Sequence, residues 1–147
     1  MPNGFNADNL TEEEFKKLVK EFAERSPFYS TLGIKVLEMK DGTAKLAIED
    51  IEPLRTPNIY VHGGAIASLA DSAMAIAILS LNKKPRGFAT IDMNVSYFST
   101  VQKGPLVAEA RILKNGKRVI FGESEVLDGN EKLVAKVSLT FIYTDVD

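Results

Sequence analysis

The chain has 147 residues, 45% of them hydrophobic, with 18 Lys and Arg against 20 Asp and Glu for a formal net charge of −2. That length can bury a core without staples and suits one domain, and the near-neutral charge argues against a general nucleic-acid or anionic-membrane surface. The absence of cysteine removes disulfides, thiolate nucleophiles and Cys-based zinc sites, and a single histidine removes the multi-His metal motifs.

The first residues, Met1 to Phe5, run directly into acidic ones and lack the basic start and apolar core of a secretory signal, so a cytoplasmic protein is expected. Thr11-Glu12-Glu13-Glu14 matches a capping box, and Phe15, Leu18, Val19 and Phe22 follow at i, i+3, i+4, i+7 spacing. An amphipathic packing helix is predicted there, ending near Ser26-Pro27. Runs from Ile34 to Met39 and Thr43 to Glu49 flank Asp41-Gly42, a strong hairpin signal.

Pro53 and Pro57 bracket a loop leading to His62-Gly63-Gly64. From Ala65 to Leu81 the apolar residues point all round a helix, which is therefore expected to be buried on nearly every side. The segment is just short of the ~20 residues of a membrane span and carries Asp71, so a core helix is the reading. Ser68 and Ser72 lie close enough to Asp71 in helical angle to share a narrow polar strip with it.

Phe88 to Phe98 alternates, with Ala89, Ile91, Met93, Val95 and Tyr97 predicted on one face and Thr90, Asp92, Asn94 and Ser96 on the other. Leu106–Leu113, Val119–Leu127 and Leu133–Tyr143 follow as strands, separated by turn signals at Asn115-Gly116 and Asp128-Gly129-Asn130. The order predicts an α+β domain in which an antiparallel sheet curls around a long central helix, with an extra N-terminal helix. Such a sheet leaves edge strands unprotected, which invites dimerisation.

No G-x-S-x-G elbow, phosphate loop or dinucleotide fingerprint is present. Free amides at a helix start stabilise an anion, so Gly63 and Gly64 are candidates for an oxyanion hole. Asp71, desolvated by its neighbours, is a candidate base or nucleophile. Other readings stand beside these: Gly63-Gly64 as a tight turn into the helix, His62 bonded to backbone near the N-cap, Asp71 as a structural cap, or a Ser68/Ser72-His62-Asp71 triad. Gly64 and Asp71 are separated by roughly 10 Å of helix, too far to grip one carbonyl carbon from a single chain. Two chains with antiparallel central helices would bring the Gly63 end of one beside Asp71 of the other, predicting two sites at a dimer interface.

The run Val61-His62-Gly63-Gly64-Ala65-Ile66-Ala67-Ser68-Leu69-Ala70-Asp71 resembles the signature of hot-dog-fold acyl-CoA thioesterases of the phenylacetate-degradation (PaaI-like) type. The resemblance extends through Ala89–Phe98 and Asn115-Gly116-Lys117-Arg118, from about Phe28 to Tyr143. It implies a hot-dog domain over 28–147 preceded by a helical extension over 1–27. It further implies that the Gly63 amide meets the thioester oxygen with support from His62, that Asp71 of the partner subunit acts as general base or nucleophile, and that Thr90 places the water.

Gly64 and Ser72 are further candidate substrate contacts. Many relatives carry Asn or Gln six residues before the histidine, where this chain has Thr56; Asn58 is the alternative for that contact. By the same resemblance, coenzyme A lies in a groove between subunits with its phosphates near Lys117 and Arg118. Coenzyme A is part of the substrate, and no metal or other cofactor is expected. A homodimer, arranged as a dimer of dimers, is the expected assembly, and a non-catalytic acyl-CoA-binding module is the alternative function.

Overall fold

The structure is a computed structural model that describes residues 6–81 and 86–144. Helix α1, Glu12–Glu24, starts where the capping box places it: the Glu14 amide donates to Thr11 Oγ1 at 3.2 Å and the Thr11 amide to Glu14 Oε2 at 2.8 Å. Its buried face is Phe15, Val19 and Ala23, so the stripe is rotated from the predicted one and Phe22 stays 46% exposed.

A short second helix, α2, Pro27–Leu32, was not anticipated. Proline suits the first helical turn, where its missing N–H costs nothing, and Gly33 ends the helix in the left-handed region at φ 71°. Six residues are too few for apolar periodicity to register.

Strands β1, Ile34–Lys40, and β2, Thr43–Ile48, form the expected hairpin, with positive φ at Asp41 and Gly42. Helix α3 covers Gly63–Leu79, and β3, Phe88–Tyr97, β4, Leu106–Asn115, β5, Val119–Leu127, and β6, Leu133–Tyr143, complete the chain. All pairings are antiparallel, in the order β1-β2-β4-β5-β6-β3.

Strands β4, β5 and β6 are the predicted meander, but β3 does not join β4. It lies at the far edge beside β6, and β2 pairs with β4 instead. The physical reason is α3, which packs on residues from all six strands and carries the chain from the β2 side of the sheet to the opposite edge. The β4–β5 loop is Gly116-Lys117-Arg118, closed by the Gly116 amide on the Val119 carbonyl at 2.9 Å. In the β5–β6 loop the Asp128 carboxylate takes the amides of Asn130 and Lys132, and the positive φ falls on Glu131 rather than Gly129.

Helix α3 is the centre of the core, with Leu69, Ala70, Ala73, Met74 and Ala77 wholly buried. Met74 lies directly on Gly122 of β5, where a Cβ would collide with the Met74 Sδ and Cε. That contact lets the helix sit close to the middle of the sheet. Phe15, Val19 and Ala23 of α1 belong to the same hydrophobic cluster.

The alternation of β3 is broken once. A bulge between Thr90 and Asp92 interrupts the pairing with β6, so Ile91 is the extra residue. Thr90 pairs with Phe141, Met93 with Leu139, Val95 with Val137 and Tyr97 with Ala135, all buried, helix-facing positions of β6. The predicted placement of Thr90 with Asp92, Asn94 and Ser96 is therefore wrong, since the bulge turns Thr90 to the helix side.

Candidate active site

Helix α3 is accessible along one stripe. Gly64, Ser68, Asp71 and Ala75 are less buried than the residues around them, at the i, i+4, i+7, i+11 spacing of a single helix face. Edge strand β3 runs beside that face and touches it with Thr90 and Tyr97.

At the start of α3, His62 is itself the N-cap: its Nδ1 accepts from the Gly64 amide at 2.9 Å. The accepting role assigns the ring proton to Nε2. The His62 carbonyl accepts from Ala65 at 2.9 Å. Among the described residues the Gly63 amide has no acceptor, whereas that of Gly64 is taken by His62, so of the two candidate amides Gly63 is the one left open. The positive end of the helix dipole lies behind it.

Asp71 is half-buried, and burial raises its carboxyl above the ordinary 3.8, with the hydrogen bond from Thr90 acting the other way. Thr90 Oγ1 donates to Asp71 Oδ1 at 2.9 Å, leaving Oδ2 with no protein donor among the described residues. A carboxylate held on one oxygen and open on the other is suited to taking a proton from water or attacking a carbonyl.

Ser72 is buried, and its carbonyl accepts from the Tyr29 hydroxyl at 3.4 Å. The Tyr29 pKa is pushed up to about 12, first by burial, so it stays protonated at neutral pH. Ser68 Oγ turns back to donate to the Gly64 carbonyl at 2.8 Å. No hydrogen bond joins His62 to either serine or to Asp71 among the described residues, and no Ser-His-Asp triad is assembled within the chain.

The loop before the helix is closed on itself. The Thr56 amide donates to the Tyr60 carbonyl at 2.7 Å and the Ile59 amide to the Thr56 carbonyl at 2.9 Å, with Ile59 at φ 65°. Asn58 is exposed at the tip and Thr56 half-buried; among the described residues neither side chain is bonded to Gly63, Asp71 or Thr90. Lys117 and Arg118 stand exposed on the β4–β5 loop, at the same end of the sheet as Phe88 and Thr90. Arg86 joins them, stacked 3.7 Å from the Tyr143 ring centroid and donating to the Lys117 carbonyl at 3.2 Å.

Sequence reasoning missed Tyr97, Tyr29 and Arg86. The signal for Tyr97 was its helix-facing position in the alternation; Tyr29 depended on the unrecognised α2, and Arg86 on the edge placement of β3. Among the described residues no group of three or more His, Cys, Asp or Glu side chains is disposed to hold a metal ion, and no helix is long and apolar enough to cross a membrane.

The model of the thioesterase superfamily matches residues 59–135, just over half the chain. The chain belongs to the thioesterase superfamily. Its sheet wrapped around α3 is the hot-dog fold, and this thioesterase is a thioester hydrolase. It is 27% identical to a 1,4-dihydroxy-2-naphthoyl-CoA hydrolase of Listeria monocytogenes, over 71% of this chain and 85% of that one. A conserved protein of Pseudomonas aeruginosa superposes with a TM-score of 0.78 at 31% identity, covering 83% of this chain and 97% of the other. A mutant form of the phenylacetic acid degradation protein PaaI of Thermus thermophilus superposes at 0.71 with 29% identity, covering 80% and 99%.

Proposed function

We propose that the protein hydrolyses a coenzyme A thioester to the free acid and CoA, with Asp71 as general base or nucleophile and the Gly63 amide as oxyanion donor. The observation that carries this reading is the Asp71 carboxylate itself. It lies on the one accessible stripe of an otherwise buried helix, with its pKa raised by burial and with one oxygen held by Thr90. The CoA hydrolase of Listeria monocytogenes among the relatives supports the substrate class.

With Asp71 as base, it takes a proton from water as the oxygen adds to the thioester carbonyl. The tetrahedral oxyanion is held by Gly63 and collapses to expel the CoA thiolate, which takes up a proton. With Asp71 as nucleophile, its carboxylate adds to the thioester carbonyl and the C–S bond breaks, expelling the CoA thiolate and leaving a mixed anhydride. Water then cleaves the anhydride, releasing the free acid, restoring the Asp71 carboxylate and supplying the proton that the thiolate takes up. Water, substrate and these side chains supply every proton and electron pair in both routes, so the scheme asks for no metal or other cofactor. In this reading Lys117 and Arg118, with Arg86 beside them, meet the CoA phosphates, which their exposure at the Thr90 end of the sheet supports.

The site is shared between two chains. Gly63 and Asp71 are eight residues apart on α3, roughly 12 Å at the usual rise, so each carbonyl is gripped by Gly63 of one chain and Asp71 of its partner. Strand β3 supports that pairing. It lies at an edge of the sheet, and Ile91, Met93, Tyr97 and Phe98 all leave large apolar area exposed along it. Exposed Leu113 and Phe121 elsewhere on the sheet offer apolar surface for a dimer of dimers.

A thiol-release assay across a panel of acyl-CoAs tests the reading. Wild type releases thiol from at least one class, and Asp71→Asn loses roughly 100- to 10,000-fold in kcat. Binding without turnover by wild type would make the protein an acyl-CoA-binding module, and an equally fast Asp71→Asn would remove the acid from the mechanism.

A further inference from the structure

We propose that Tyr97 is a positioning residue for the oxyanion donor, holding the first turn of α3 so that the Gly63 amide faces the reacting carbonyl. The inference rests on the thioesterase reading of Gly63 and adds a residue to it.

The first turn of a helix frays most easily, and two consecutive glycines carry the largest backbone entropy that a turn can have. Here the peptide plane between Gly63 and Gly64 is fixed at both ends. Its N–H, that of Gly64, goes to His62 Nδ1 at 2.9 Å; its carbonyl, that of Gly63, accepts from the Tyr97 hydroxyl at 2.7 Å. The Tyr97 ring also covers Gly63: a Cβ built there would lie 3.2 Å from both Cζ and the hydroxyl oxygen. Two bonds and one ring contact thus hold the peptide that follows Gly63, while the preceding peptide, which carries the open Gly63 amide, is held through the His62 carbonyl by the Ala65 amide at 2.9 Å. The two planes meet at the Gly63 Cα, so loosening one frees the other.

Tyr97 reaches this carbonyl because it ends β3 on the helix-facing side, opposite Ala135. The same strand places Thr90 on Asp71. Strand β3 therefore bonds to α3 at both halves of the site, to the acid through Thr90 and to the oxyanion donor through Tyr97. Tyr97 itself remains 50% exposed, so its hydroxyl bond is made at the accessible edge beside α3 and not in the core.

Tyr97→Phe keeps the ring and removes only the hydroxyl. Losing one neutral hydrogen bond, it should lower kcat about 3- to 10-fold with KM within about twofold of wild type. The plateau of the kcat–pH profile should drop while its midpoint, set by Asp71, stays in place. Amide hydrogen exchange reads the same geometry without substrate: in Tyr97→Phe the Gly64 and Ala67 amides should exchange faster while those of β5 and β6 do not change.

A kcat equal to wild type, or unchanged exchange in the first turn, would overturn the proposal. So would a fall in melting temperature with kcat per folded molecule intact, because that marks a purely structural contact. A wild type that cleaves no CoA thioester defeats the hydrolase reading instead, and the exchange measurement separates that outcome from failure of the Tyr97 bond.

Discussion

The two edges of the sheet are finished in opposite ways. At the β1 edge, α1 and α2 lie against the strand, and the Glu24 carboxylate accepts the Val36 amide at 3.0 Å with Lys35 nearby at 3.9 Å. An amide that would otherwise invite another strand is covered from within the chain. At the β3 edge nothing among the described residues covers the strand on its outer side, and Ile91 and Phe98 are more than half exposed. The closed edge is tied to the rest of the fold; the open edge adjoins Thr90, Asp71 and Tyr97, so the unfinished side of the fold is also the side of the proposed site.

Closing the open edge with charge should have the largest effect. Ile91→Lys combined with Met93→Lys opposes pairing of two β3 strands, and the variant should elute as a monomer with activity lost while its melting remains cooperative. A dimer with full activity would place the interface elsewhere.

Asp71 gives a prediction of intermediate size, with stability and activity moving in opposite directions. The folded chain holds the Asp71 proton more tightly than the unfolded one, because burial raises the pKa above 3.8. The stability associated with that proton is fully present below about pH 3.8 and is lost as pH rises through the higher folded value. Asp71→Asn should therefore melt like wild type in acid and above it at neutral pH, while hydrolysis by wild type rises over the same window as the acid ionises. Melting curves that stay parallel at every pH would show that the carboxyl titrates normally.

At the protected edge, Glu24→Ala removes a charged acceptor from the Val36 amide and should cost about 1–2 kcal/mol in urea unfolding, with kcat per folded molecule unchanged. A loss of activity at constant stability would contradict the separation of the two edges.

The reading of the sequence went as far as local signals reach. The capping box at Thr11, the hairpin at Asp41-Gly42 and the all-round apolar pattern of α3 are each written within a few consecutive residues, and each element is present. The position of β3 beside β6 was not legible, because it depends on where α3 delivers the chain and not on β3 itself. The orientation of Thr90 failed for a related reason: one bulged residue, Ile91, inverts the face of everything before it while leaving the alternation of residue types intact. His62-Gly63-Gly64 and Asp71 stand out in the sequence as candidates, whereas the consumption of the Gly64 amide by His62 and the reach of Tyr97 to Gly63 are legible only in the folded chain.

The central claim, that each site takes Gly63 from one chain and Asp71 from the other, is tested most directly by mixing two inactive variants. Gly63→Pro removes the amide donor at a first-turn position that tolerates proline, with the Tyr97 ring shifting by a few tenths of an ångström, and Asp71→Asn removes the acid. Co-refolding the two in equal amounts should give about half heterodimers, each with one intact site and one doubly defective one, restoring about a quarter of wild-type activity. Activity that remains at the level of the separate variants, with heterodimers shown to have formed, would mean that each site is built within a single chain.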